Sequence, residues 1–399
     1  MAAERTTPGV SPRVTVLIAA HNGGSALHEA VRSVLAQTYT DFELLLVDDA
    51  STDDAVCTLP DDPRIRVIAN KHNAGQIPSL NRGLREARGE FVARLDHDDL
   101  CLPTRLESQV ELLDRSPETA LAATWFDIVD ERNRRWARVR PRMETFADFA
   151  AGILVDRLPL AHPTLMFRHS VVLHLGGFDE TLGAAEDKDL YRRLVLGRHE
   201  ARVVPEVLVL YRRHEAQMTY AKAGMVREND AHSQESFYRQ LAPDLAPRPL
   251  RLLFGSSPHY WDGPRAESTD AESFLEQVKA RLELSSPEYS VVAGALAGGV
   301  ARTIRSGWSE ARRDYATDAR TLASFVHAHA DVRERALTLI VIPLAVTTHP
   351  VARFVPKVRR MLWRVLRLPA VGAIRRLAAR SRVLRELYSL LLGPRLLRR

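Results

Sequence analysis

Over the first hundred residues, unbroken apolar runs alternate with stretches whose apolar residues recur every three or four positions. Val14 to Ala19 is a short run interrupted only by Thr15. A helix is expected from about Ser25, with Leu27, Val31, Val34 and Leu35 on one face. Phe42 to Val47 is apolar except for Glu43, the signature of a strand covered on both sides in a parallel sheet. Ile65 to Ile68 reads as a third strand, Ile77, Leu80 and Leu84 mark another helical face, and Phe91 to Leu95 is a fourth strand. Such βαβ alternation predicts an open α/β sheet with helices on both faces.

The pattern continues less regularly. Leu121–Val129 and Leu165–Phe167 read as strands, and Val203–Tyr211 as one or two more. Met143–Leu154 and Asp187–Leu196 read as helices, with a Gly176-Gly177 turn before the second. From about 221 to 329 the pattern is mostly helical and carries no cluster of chemistry-bearing side chains, with a loop expected at Gly255–Pro264. The reading divides the chain into an α/β domain (1–222), a helical region (223–330) and a tail (331–399).

Charge separates the tail from the body. Residues 333–399 hold 16 Lys and Arg against 2 Asp and Glu, leaving 40 basic and 48 acidic residues in the rest. Val355, Val358, Leu362, Val365 and Leu366 fall on one helical face, with Lys357, Arg360, Arg364 and Arg367 on or near the other and Trp363 at the flank. A basic amphipathic helix of this kind is expected on an anionic membrane surface, the alternatives being a helix docked on the acidic body or on a partner. Few aromatics interleave the arginines, so nucleic acid is not the expected partner. The two cysteines, Cys57 and Cys101, lack metal-ligand spacing and read as thiols of a reducing compartment. Met1 to Pro12 holds no apolar segment of a secretory signal. The expected location is cytoplasmic, peripheral on the inner face of the cell membrane.

The chemistry concentrates where apolar runs end. Phe91 to Leu95 stops in Asp96, Asp98 and Asp99, three carboxylates that repel one another unless something positive lies beside them. A hard divalent cation shared with substrate phosphates is the usual partner. The plain alternative is a solvated acidic turn. Two further acidic pairs that flank apolar segments, Asp48-Asp49 and Glu186-Asp187, favour the cation. In open α/β sheets ligands bind beyond the carboxyl ends of the strands, which is where Asn22, Asp49 and Asp96 to Asp99 fall. A carboxylate at Asp49 can accept from a base or a ribose; Ser51 and Asp53 can equally cap the next helix, and a phospho-acceptor pocket has a similar pattern.

Several segments stand in a telling order: Ala20-His21-Asn22, Val47-Asp48-Asp49-Ala50-Ser51, Asn73-Ala74-Gly75, Leu95-Asp96-His97-Asp98-Asp99, His162-Pro163-Thr164, Gly176-Gly177-Phe178-Asp179-Glu180, Glu186-Asp187 and Tyr211-Arg212-Arg213-His214. Across residues 13–215 this set resembles family 2 glycosyltransferases of the GT-A fold, a Rossmann-like, mostly parallel sheet flanked by helices, here with a C-terminal helical extension. The resemblance implies a nucleotide-sugar donor and a divalent metal, Mn or Mg. It implies a nucleobase contact from Asp49, with Asn22 and the backbone of Ala20 nearby. Asp98 would be the direct metal ligand, Asp96 would face ribose or metal, and His214 would return to the metal or the diphosphate. Asp187 would be the general base on the acceptor hydroxyl. Glu186, Asp99 and His162 would sit on the acceptor side, although Pro163 beside His162 also suits a turn. Arg82 could reach the diphosphate or lie on a solvated helix face.

These roles imply metal-dependent transfer with inversion, because one base opposite the leaving group gives a single displacement. The acceptor would be a glycan or a lipid-linked molecule, in cell-surface polysaccharide or glycolipid synthesis. Neither a Gln-x-x-Arg-Trp motif nor a transmembrane bundle is present, which argues for adding one sugar or a few rather than extruding a polymer. A nucleotidyltransferase is the competing enzyme class, but Gly23-Gly24-Ser25 has no Lys or Arg beside it to hold a triphosphate. A non-catalytic nucleotide-sugar-binding relative is the third reading, and it would be expected to lack the metal acids or the base.

Overall fold

The computed structural model describes residues 11–214, 217, 221–245, 268–307 and 328–329. The basic tail and the expected 255–264 loop lie outside the described residues. Strands β1 (Val14–Ala20), β2 (Phe42–Asp48), β3 (Ile65–Ala69) and β4 (Phe91–Arg94) form the first half, joined through helices α1 (Gly24–Leu35) and α2 (Gln76–Glu86). All three pairings among these strands are parallel, as the alternation predicts.

The second half is mixed. It comprises β5 (Leu100–Cys101), α3 (Arg105–Arg115), β6 (Thr119–Val129), β7 (Arg135–Val139), α4 (Phe146–Leu154), a 3₁₀ turn at His162–Thr164, β8 (Met166–Arg168), α5 (His169–His174), α6 (Glu186–Leu196) and β9 (Glu200–Arg212). Nine strands make one sheet in the order β3-β2-β1-β4-β8-β6-β9-β5, with β7 paired to β6 at an edge. The short β8 runs antiparallel to both β4 and β6. Two reversals restore the direction, and β9 is parallel to β6. The carboxyl ends of β1, β2, β4, β6 and β9 therefore open on one edge, where the candidate residues sit.

Alternation along the strands fills two cores. Val14, Val16 and Ile18 join Leu27, Val31 and Phe91 on one face. Leu17, Ala19, Leu45 and Val47 join Leu80, Leu84, Phe149 and Phe167 on the other. The second core extends into α7 (Ala223–Leu241), α8 (Ser268–Arg281) and α9 (Ser286–Gly307) through Phe237, Tyr238, Phe274 and Leu296. The described helical region thus shares a core with the α/β part. The helix expected from Met143 starts three residues later, because Thr145 and Asp148 form a reciprocal capping box. Among the described residues no helix is long and apolar enough to cross a membrane.

Candidate active site

Three left-handed turns shape the edge, two on the donor side and one on the acceptor side. Asn22, Ala50 and Ala185 all have positive φ without being glycine, at 54°, 59° and 64°. Such conformations are sparsely populated and tend to gather at functional sites. The Asn22 side-chain oxygen accepts from the Thr52 amide at 2.7 Å and the Asp53 amide at 3.3 Å, locking the end of β1 to the turn after β2. The Ala20 carbonyl accepts from the Asp49 amide at 2.8 Å. Asp49 is buried, and its carboxylate accepts from Asn70 at 2.7 Å and from the Ala74 and Gly75 amides at 2.8 Å each. Burial would raise its pKa; these hydrogen bonds outweigh burial and hold it below the usual carboxylate value. Asp49 thus anchors the 70–75 loop. Arg82 bonds the Ala69 carbonyl at 2.7 Å and the side chain of Asn70, so it braces that same loop.

The acidic turn after β4 divides into three roles. Arg94 is only 1% exposed and ion-pairs with Asp96. Burial opposes ionisation of Asp96, but Arg94, followed by His162 and His97, overcomes it and keeps the carboxyl low. Asp98 meets His214 across the chain, Oδ2 to Nε2 at 2.7 Å. Asp99 is completely buried; its Oδ1 accepts from the Arg212 amide at 2.7 Å while Oδ2 has no partner. Burial, with Asp96 and Asp98 adding repulsion, pushes the Asp99 carboxyl well up. The acceptor contact expected of Asp99 is therefore corrected: with no exposed surface it ties the acidic turn to the end of β9.

Arg212 completes that tie. Its guanidinium pairs with Glu29 and donates to the Asn133 side-chain oxygen at 3.0 Å and to the Asp98 carbonyl at 3.3 Å. Arg105, also buried, donates to the carbonyls of Arg94 at 2.8 Å and Leu165 at 3.1 Å beneath the turn. No role for these arginines is legible from their positions in the sequence alone. An arginine inside the apolar Phe91 to Leu95 run was the available signal, because a buried charge demands a partner.

On the acceptor side, Glu186 and Asp187 open α6. His162 Nδ1 lies 3.4 Å from Glu186 Oε1, its ring meets Phe178 edge-on at 5.2 Å, and its Nε2 is buried without a partner. Burial would raise Glu186, but its contact with His162 lowers it. Asp187 goes the other way: burial and the charge of Glu186 raise it, only partly countered by His162 and by the Lys188 amide at 2.8 Å. Two adjacent carboxylates with oppositely shifted affinities are the arrangement from which an acid–base residue is made. The two sides lie close together: Arg94 pairs with Asp96, His162 faces Glu186, and the Arg94 amide bonds the Leu165 carbonyl at 2.9 Å, so Arg94 and His162 both favour the ionised forms of Asp96 and Glu186. The Gly176-Gly177 turn, left-handed at both residues, is pinned to α2 by Asn81, which exchanges hydrogen bonds of 2.8 Å with the Phe178 backbone.

Among the described residues no three His, Cys, Asp or Glu side chains are grouped as a ready cage for a metal. The Asp98 and His214 pair offers a carboxylate oxygen and an imidazole nitrogen within hydrogen-bond reach of each other. That donor set fits a divalent cation that completes its shell with diphosphate oxygens and water. Asp96, expected as a second ligand, spends one oxygen on Arg94.

A parallel Rossmann-like half fused to a mixed half, with carboxylates gathered at the common strand edge, defines the GT-A class of glycosyltransferase fold. Residues 15–172 of this chain match the model of glycosyl transferase family 2. EpsE of Bacillus subtilis, named as a glycosyltransferase, is 35% identical over 189 residues, 46% of this chain and 66% of EpsE, just under two thirds of that relative. An uncharacterized glycosyltransferase of Methanocaldococcus jannaschii is 28% identical over 207 residues, covering 50% of this chain and 71% of the relative. The structure of S. aureus TarS 1-349 in complex with UDP-GlcNAc superposes with a TM-score of 0.50 at 17% identity, covering 84% of this chain and 90% of that one. The likeness to TarS is one of fold.

Proposed function

We propose that this protein transfers a sugar, with inversion, from a nucleotide-sugar to a hydroxyl of a glycan or lipid-linked acceptor. The observation that carries the reading is the nearness of the acidic turn to the α6 N-terminus: Arg94 pairs with Asp96, His162 lies 3.4 Å from Glu186, and the Arg94 amide bonds the Leu165 carbonyl, three residues after His162, at 2.9 Å. The two halves of a displacement, departure of a diphosphate and deprotonation of a nucleophile, then share one crevice. Asp187 takes the acceptor proton as the oxygen attacks the anomeric carbon and the bond to the diphosphate breaks. Its raised proton affinity suits a base that must pick up a proton during the reaction. Asp98 and His214 would hold a divalent cation, which when bound supplies Lewis-acid neutralisation of the leaving diphosphate. A nucleotide-sugar donor is supported by the complex recorded for TarS. Peripheral membrane location, through the basic tail, and a role in envelope polysaccharide or glycolipid synthesis complete the proposal.

The test is a donor screen with purified full-length protein, offering UDP-, GDP- and dTDP-sugars with Mn²⁺ or Mg²⁺. Release of nucleoside diphosphate from one donor, abolished by EDTA and by Asp98→Ala, is expected. Folded protein that neither releases nucleoside diphosphate nor binds any of these nucleotides by calorimetry, with or without metal, overturns the catalytic reading.

A further inference from the structure

The β6–β7 hairpin carries a charge and shape that the transfer chemistry does not use. From Asp130 to Arg142 the sequence has six arginines against two carboxylates, on a body that is acidic as a whole. Trp136 is 61% exposed in the middle of it. Residues 131–138 are exposed without exception, so the ribbon is open to solvent on both faces. Strand β7 pairs only with β6 among the described residues, leaving its outer edge without a neighbour.

The base of the hairpin is firmly built. Arg138 pairs with Asp127 at 2.7 Å, Arg140 lies 5.1 Å over the Trp125 ring, and the Trp125 indole donates to the Pro141 carbonyl at 3.1 Å. The guanidinium groups of Arg132 and Arg142, by contrast, have no hydrogen bond or ion pair within the described structure, and both residues are exposed. The hairpin also stands beside the site: the Arg213 amide donates to Val129 at 2.9 Å and Arg212 bonds Asn133 at the turn, one and two residues before His214.

We propose that this hairpin is the edge by which the protein docks on an anionic membrane surface, with the site opening toward that surface. Arginines beside an exposed indole match the two layers of such a surface, phosphate outside and the interfacial zone beneath. A carbohydrate site would be concave and would shelter its lining; residues 131–138 of this ribbon are exposed throughout. The acidic body is repelled by anionic lipid, so a local basic strip also fixes which side approaches. The inference goes beyond the transfer reading and is read out without donor or acceptor, so the two can fail separately.

The test uses full-length protein with phosphatidylcholine vesicles, with and without phosphatidylglycerol. The triple variant Arg132→Ser, Trp136→Ala, Arg142→Ser removes exposed side chains that hold nothing in the fold and should keep its melting temperature and donor-hydrolysis rate. Its binding to phosphatidylglycerol vesicles is expected to fall on the order of tenfold or more. The second arm isolates one indole: the fluorescence difference between wild type and Trp136→Phe should shift to the blue on vesicles and be quenched by brominated lipid. Equal vesicle binding by wild type and triple variant, or a Trp136 emission unmoved by lipid, overturns the proposal. Undiminished vesicle binding together with lost binding to alginate, an acidic polysaccharide, would assign the strip to a glycan instead.

Discussion

Asp187 owes its raised proton affinity to two causes, its buried surroundings and the charge of Glu186. A base works only when ionised, so the acidic limb of the kcat–pH profile should lie above the range of an ordinary aspartate, which titrates at about 3.9. Glu186→Gln removes the repelling charge, and the limb should move to lower pH. Asp187→Asn should lower kcat by roughly 10²–10⁴-fold while leaving donor binding intact, measured by transfer rate and calorimetry. A fall in donor affinity equal to the fall in rate would place Asp187 in binding instead. At this scale the sequence was informative about which polar residues gather at the strand ends and less so about what they touch. Asp98 and His214 were singled out, and they meet at 2.7 Å. Asp99 sits one residue from Asp98 yet points into the core, because the turn that exposes one carboxylate buries the next. Spacing within a tight turn does not reveal that choice.

At the scale of elements, α6 is stapled to α7. Asp230 on α7 accepts from Lys188 at 2.6 Å and pairs with buried Arg192, while Ser233 donates to Asp189 at 2.9 Å. Burial opposes the charge of Asp230, but Arg192 and Lys188 overcome it and lower its pKa. The stability it contributes is thus complete above the ordinary carboxylate range and is lost as pH falls through its lowered value. Asp230→Ala leaves a buried guanidinium without its partner and should cost on the order of 2–3 kcal/mol, discounted for the partial exposure of Lys188. Urea unfolding of wild type and variant at pH 7 and pH 3 would measure it; the gap should narrow at the lower pH. The packing of α2 on β1 is as demanding. A Cβ at Gly83 would lie 2.2 Å from Leu17 Cδ1. Gly83→Ala should destabilise by about 1–3 kcal/mol through overpacking, despite the better helix propensity of alanine. A neutral result in thermal melts would mean that Leu17 can move aside.

For the whole molecule, ligand linkage is the most direct reading of the site. If the proposed nucleotide-sugar and cation bind only the folded chain, donor at 100 times its dissociation constant should add about 2.7 kcal/mol of stability. That corresponds to a rise of roughly 2–4 °C in melting temperature for a body of this size. EDTA, or Asp98→Ala, should remove most of the shift if Asp98 helps to hold the cation. A shift from nucleotide that is indifferent to both would separate donor binding from the metal.

The sequence by itself determined the parallel half, because a strand buried on both faces and a helix with one apolar stripe leave unmistakable periodicities in a local window. It also determined which polar residues lie at strand ends, because they interrupt apolar runs. The tertiary structure alone decided the rest. Strands β5 and β7 are short or exposed and leave no run to read, and β8, though legible as a strand, gave no sign of reversing the sheet direction between β4 and β6. The meeting of Asp98 with His214, 116 residues apart, depends on β9 returning beside β6. The buried arginines Arg94, Arg105 and Arg212 hold those distant pieces together, and their role is invisible until the partners that neutralise them are in place.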